Sequence, residues 1–149
     1  MIKYQVEKLD TVYAEIQHLL KMHWEEIAVL KDEIKLNPSY EIYKQIEKAG
    51  KLYILTVRDD GFLVGYFVAF LNKNAHYIDE EWAHNDVMFL HPDYRKALIG
   101  YTMIREAERG LKDMGATVIT IHVKINHPLD ALMKRLEYTP NEIHYVRKL

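Results

Sequence analysis

Two periods of hydrophobic placement alternate along the chain, and their order predicts a mixed α and β fold. Ile2 to Lys8 alternates apolar and polar residues, as a half-buried strand does. Leu9, Val12, Tyr13, Ile16, Leu19, Leu20, Trp24 and Ile27 then fall at helical spacing, with Asp10 or Thr11 available as N-cap. This stretch predicts one long helix, or two joined near Met22-His23. Asn37-Pro38-Ser39 breaks the pattern, and a second helix follows from Tyr40 to Ala49, with Gly50 as its stop. Lys51 to Arg58 and Phe62 to Leu71 read as strands around an Asp59-Asp60-Gly61 turn, which predicts an antiparallel hairpin. His84 to Leu90 continues the meander. A long amphipathic helix from Leu98 to Met114 stops at Gly115, and Val118 to Lys124 reads as a buried strand. Pro128 to Leu136 predicts a short helix, and Ile143 to Lys148 alternates again as a terminal strand.

Composition narrows the class. At 149 residues, 49% hydrophobic and 28% charged, the chain suits a single domain spanning 1–149, with no repeats or dividing linkers. A net charge of −2 supplies no basic field, which disfavours nucleic acid as a primary partner. Without cysteine there are no disulfides, thiolate zinc sites or cysteine nucleophiles. The histidines lack the helical spacing of a hydrolytic zinc site, and His23-x-x-Glu26 is the only ligand-like pair, so no metal is expected. No apolar run approaches the roughly 20 residues of a membrane helix, and no signal peptide is visible, so a cytoplasmic location is the default expectation.

Residues 86–101 carry the candidate chemistry. An apolar strand, Val87 to Leu90, ends at His91-Pro92; a basic turn with Arg95 and Lys96 follows, and Gly100 lies just inside the next helix. Strand, turn and helix N-terminus make an anion cradle, because unpaired backbone N–H groups converge there and the helix dipole adds positive potential. A diphosphate-bearing cofactor is its natural occupant.

The strand-His-Pro-x-Tyr-Arg-x-x-x-x-Gly pattern resembles the acetyl-coenzyme A signature of the GNAT N-acetyltransferase superfamily, Arg/Gln-x-x-Gly-x-Gly/Ala. Arg95 and Gly100 match, and Leu98 replaces the first glycine, which normally lets the turn wrap the pyrophosphate. The order β-α-α-β-β-β-α-β-α-β is also that of the family. A second landmark, Asn-x-x-Ala-x-x-Phe-Tyr-Glu-Lys-Leu-Gly-Phe, aligns with residues 126–138: Asn126, Leu132, Leu136 and Tyr138 are in register, Met133 stands at the usual tyrosine and Glu137 at the glycine. His23-Trp24-Glu25-Glu26-Ile27-Ala28 and the tail Tyr145-x-x-Lys148-Leu149 resemble members encoded by bacteriophages.

The resemblance implies an α+β fold with a mostly antiparallel sheet splayed between strands 4 and 5 and flanked by helices. It implies transfer of acetyl from acetyl-coenzyme A to a primary amine (a small molecule, or a protein lysine or N-terminus) by direct attack in a ternary complex. The cofactor would be held by the backbones of Phe89 and Leu90, by Arg95, Lys96, Ala97, Leu98, Ile99, Gly100 and Tyr101, and by Asn126, with Leu90 N–H facing the oxyanion. Asp86 is the first candidate base. His84, two residues earlier, shares its face unless a bulge intervenes, and its imidazole needs less tuning near pH 7. Met133 has no proton to give, which leaves Tyr138, Tyr145, His122 and Tyr101 open as acids; His122 reads more simply as a core histidine. Glu25 and Glu26, with Asp79 to Glu81, would rim the acceptor side, and Trp24 beside the carboxylates suits a cation-binding wall. Leu98 and Met133 support an alternative, a non-catalytic GNAT-like module that binds acyl-coenzyme A or protein. Many relatives dimerise, so a homodimer is an open expectation.

Overall fold

The computed structural model describes all 149 residues. The helices and strands are β1 (Ile2–Val6), α1 (Leu9–Ile27), α2 (Tyr40–Lys48), β2 (Leu52–Asp59), β3 (Phe62–Asn74), β4 (Tyr77–Leu90), α3 (Ile99–Asp113), β5 (Val118–Thr120) and α4 (Asp130–Arg135). The strands lie in the sheet in chain order, antiparallel from β1 to β4 and parallel between β4 and β5. The β2–β3 hairpin closes on Asp60 and Gly61 at φ 46° and 91°, the left-handed pair that a tight two-residue turn needs.

The two sheet faces carry separate apolar layers. Leu9, Val12, Ile16 and Leu19 of α1 pack on Ile54, Tyr66, Val68 and Phe89. Met103, Ala107 and Leu111 of α3 pack on Tyr53, Leu55, Val57, Phe67 and Ala69 of the other face. Each buried Val, Leu, Ile, Phe or Met side chain among them stabilises the fold by about 1.5–3 kcal/mol. Nothing interrupts α1 at Met22-His23, because His23 continues its buried stripe. Its N-cap is Lys8, two residues before the expected Asp10 and three before Thr11. The reason is tertiary: Glu47 of α2 accepts the Leu9 N–H at 2.7 Å, and Asp10 is drawn to Lys44 at 2.8 Å. Ser39 caps α2 by accepting the Ile42 N–H at 3.3 Å.

Two irregularities of β4 position the site. Val68 pairs with Val87 but Ala69 pairs with Asn85, so Asp86 is the extra residue of a β-bulge. Pairing of β4 with β5 runs only from Trp82↔Val118 to His84↔Thr120. Beyond it β4 continues to Leu90 while residues 121–124 leave the ladder, and a V-shaped gap opens. The strand expected from Val118 to Lys124 is therefore short. His122 lies in the departing segment and is exposed, not a core residue. The terminal strand expected over Ile143 to Lys148 does not form: Ile143, Tyr145 and Val146 are exposed, and an alternating pattern makes no strand without a backbone partner.

Candidate active site

The gap is lined by backbone groups of known direction. The His91 N–H donates to Val64 O at 2.8 Å, so Leu90 and Gly65 form the non-hydrogen-bonded pair next to it. The N–H and C=O of Leu90 thus point away from β3, towards the gap, and by alternation so do those of Met88. Phe89, between them, turns its backbone to Tyr66 of β3 and is not the strand's donor to the gap. Arg95 Nε donates to Leu90 O at 2.7 Å, which leaves the Leu90 N–H as the open group.

After β4 the chain makes a 3₁₀ turn (Pro92–Tyr94) and enters α3 without a side-chain cap. Ala97 is left-handed at φ 53°; Leu98, at φ −108°, is not. The backbone at Leu98 therefore needs no glycine, and its half-exposed side chain lies outside the cleft. The backbone N–H groups of residues 96 to 101 donate to no protein acceptor. They form the row of donors that an anion at a helix N-terminus takes. A Cβ built on Gly100 would meet only Leu90 Cδ2, at 3.8 Å. Neither conformation nor protein packing demands glycine there; its missing side chain keeps open a cleft of about 360 Å³.

The cleft is cationic in a chain of net charge −2. Lys96, Lys124 and Arg135 line it and form no ion pair, and the Arg135 guanidinium lies 5.0 Å from the centre of the Tyr101 ring. Glu26 is the one carboxylate in the lining. It grips Arg95 through two hydrogen bonds of 2.8 and 2.7 Å, and this pairing together with Arg95's charge holds Glu26 below the usual carboxylate range. Arg95 also covers Phe89 at 5.2 Å. Free amides, free cations and the space at Gly100 fit the diphosphate of coenzyme A.

The base candidates lie outside this lining, further back along β4. Asp86 accepts a 2.6 Å hydrogen bond from Tyr43 of α2. Burial raises its pKa above the ordinary value, opposed by the Tyr43 hydrogen bond and the charge of His122. His84 bonds Thr120 Oγ1 through Nδ1 at 2.8 Å and stacks on Trp82 at 5.8 Å. Burial lowers its pKa, with the His122 charge adding to the effect. The bulge does not part the two candidates: Phe70, opposite His84, packs under α1 and α2, and Asp86 reaches α2.

Among the acid candidates, Tyr138 donates to Glu108 at 2.9 Å and Tyr145 is 92% exposed, so neither faces the cleft. Tyr101 and His122 line it. Ile99 packs into the core beneath α3, and Asn126 lies in an exposed turn outside the lining. Glu25 and Trp24 also lie outside the cleft. The cation over Trp24 is the chain's own Lys31, at 5.9 Å, so that ring is already covered.

Met88, Lys124, Arg135 and His23 line the cleft without having been singled out for it. For Met88 the signal was strand alternation from Leu90. For His23 it was a histidine on the apolar stripe of α1, four residues after Leu19. Lys124 and Arg135 gave none, since single cations are ordinary surface residues.

No curated protein sequence matches the chain. An aminoglycoside acetyltransferase structure from an uncultured soil metagenomic sample superposes with TM-score 0.77 at 16% identity, covering 100% of this chain and 99% of its own. A ribosomal-protein-alanine N-acetyltransferase from Brucella melitensis biovar Abortus 2308 gives 0.69 at 16% identity, covering 100% and 99%. AAC(6')-Iy, in complex with the bisubstrate analogue CoA-S-monomethyl-acetylneamine, gives 0.74 at 14% identity, covering 100% and 99%. At these identities the likeness establishes the fold. The model of the acetyltransferase (GNAT) family matches residues 13–138, from within α1 through α4 and including strands β2 to β5. The chain belongs to the acetyltransferase (GNAT) family.

Proposed function

We propose that the protein is an acetyl-coenzyme A dependent N-acetyltransferase acting on a primary amine, free or on a protein. One observation carries the reading: the donor row of residues 96–101 opens on a cationic cleft beside the unpaired end of β4. Acetyl-coenzyme A, when bound, supplies the activated thioester. The amides of the turn and of the first turn of α3 hold the diphosphate, with Lys96 beside them. The N–H groups of Met88 and Leu90 point into the gap, where they can stabilise charge developing on a carbonyl oxygen. Asp86, with its raised proton affinity, takes the proton from the attacking amine. His84 is the runner-up for that role; as a neutral imidazole tied to Thr120 it is also available as an acceptor. The soil neighbour is named as an aminoglycoside acetyltransferase, AAC(6')-Iy is held with a bisubstrate analogue that joins coenzyme A to acetylneamine, and the Brucella neighbour is named as a ribosomal-protein enzyme, which supports both amine classes without choosing.

The reading is tested by release of free thiol from acetyl-coenzyme A in the presence of an aminoglycoside and, separately, of a lysine peptide. Acceptor-dependent release that Asp86→Asn lowers supports it. Coenzyme A binding with no release for any amine would favour the non-catalytic module.

A further inference from the structure

His23 is a buried titratable group at the cleft, without a part in the proton transfer. It projects from α1, is 8% exposed, stacks on Phe89 with ring centres 5.2 Å apart, and forms part of the cleft lining. Its Nδ1 lies 3.0 Å from the hydroxyl of Tyr66, itself fully buried. The Tyr66 hydroxyl has no other partner, and burial holds it protonated. If Nδ1 carried a hydrogen, the Tyr66 proton would be buried and unpaired, at a cost of about 1–3 kcal/mol. Tyr66 therefore donates to Nδ1, and the ring hydrogen is on Nε2. No protein group bonds Nε2. The only buried side-chain nitrogen or oxygen without a partner is Trp82 Nε1, so His23 Nε2 is reached from outside, and the open side of this residue is the cleft.

We infer that His23 presents a fixed Nε2–H donor to a carbonyl oxygen of the acyl-pantetheine arm beside Leu90, and that Tyr66 is the positioning residue that sets its tautomer. The inference rests on the coenzyme A reading of the cleft. The carbonyls of that arm are amide and thioester acceptors, and the N–H of a neutral imidazole is the complementary group. The donor is constant across the working pH range because the ring stays neutral. Burial drives its pKa to about 4 against the opposing charge of Glu26 on α1, aided by Arg95 after β4 and Lys124 after β5.

The test is ¹H–¹⁵N spectroscopy of the uniformly ¹⁵N-labelled protein, long-range for the histidine rings and one-bond for the backbone amides, with and without coenzyme A and acetyl-coenzyme A, followed by kinetics of variants. His23 should show the Nε2–H tautomer from pH 6 to 9, and either ligand should shift its Nε2 resonance. Tyr66→Phe should let the Nδ1–H form appear. His23→Phe should raise KM for acetyl-coenzyme A about tenfold with a smaller change in kcat, the size of one lost hydrogen bond. His23→Gln, whose amide nitrogen lies near the former Nε2, should recover part of that loss. An Nδ1–H tautomer in the unaltered protein overturns the inference. So does a His23 signal that ignores coenzyme A while the Gly100 amide responds, and that result spares the cofactor reading. Silence at both positions overturns both.

Discussion

Arg95 and Glu26, 69 residues apart in the chain, clasp each other across the cleft through two parallel hydrogen bonds of 2.8 and 2.7 Å. The residue expected to add charge for phosphates and the residue expected to attract an amine thus neutralise one another. The pair ties the end of α1 to the turn after β4, and His127 Nδ1 stands 4.0 Å from the same carboxylate. A carboxylate in this position opposes an incoming diphosphate and occupies the guanidinium that would greet it. Glu26→Gln should therefore tighten coenzyme A binding about five- to tenfold, with the gain shrinking at high salt. Titration calorimetry at two ionic strengths checks it; weaker binding in the variant would show that the pair pre-orders the cleft instead.

Leu98 departs from the family signature at a position where the structure needs no glycine. Its φ of −108° and its place outside the lining mean that Leu98→Gly should change coenzyme A affinity by less than about threefold, while lowering Tm slightly through added backbone freedom. A large gain in affinity would show that the leucine obstructs the cradle after all.

Asp86 gives a pH signature. Its folded pKa is raised, so the folded chain holds the proton more tightly than the unfolded chain does. Its contribution to stability is present below the unfolded value near 3.8 and falls as pH rises through the folded value. Asp86→Asn should keep or raise Tm at pH 8 while lowering kcat/KM about 10²- to 10⁴-fold. Tyr43→Phe removes the hydrogen bond that opposes the upward shift, so the acidic limb of the pH–rate profile should move to higher pH. If His84→Gln abolishes the limb and Asp86→Asn does not, the roles are reversed.

Gly65 links the fold to the site. A Cβ there would lie 2.8 Å from Leu90 Cδ1 and 2.9 Å from the backbone oxygen of Phe89, so the strand itself would have to move. Gly65→Ala should cost about 1–3 kcal/mol of stability in chemical denaturation and weaken coenzyme A binding through displacement of the Leu90 N–H. Unchanged binding would mean that the end of β4 tolerates the shift.

Local pattern made most of this structure legible. Helical spacing gave α1, α2 and α3, and the Asp-Asp-Gly turn gave the hairpin, because each follows from residues adjacent in sequence. The strand, turn and helix start of residues 86–101 were legible for the same reason, since they form one continuous segment. Features set by distant partners were not. Asp10 reads as a cap until Lys44 of α2 claims it. Ile143 to Lys148 reads as a strand until no strand is found beside it. His122 reads as core until the ladder ends at Thr120. The Arg95–Glu26 clasp and the His23–Tyr66 pair join α1 to the sheet and its following turn, and no spacing rule reaches that far.

The most direct measurement is calorimetric titration of coenzyme A into the unaltered protein and into Gly100→Asp. The Cβ of an aspartate at this position would meet only Leu90 Cδ2, at 3.8 Å, and a carboxylate suits a helix N-terminus, so the variant should fold with unchanged or slightly higher Tm. Its carboxylate would fill the cradle with bulk and negative charge. Saturable binding to the unaltered protein, weakened at least 100-fold in the variant, is the expected result. Equal binding by both proteins, or none by the unaltered one, would contradict the assignment of residues 96–101 as the diphosphate cradle.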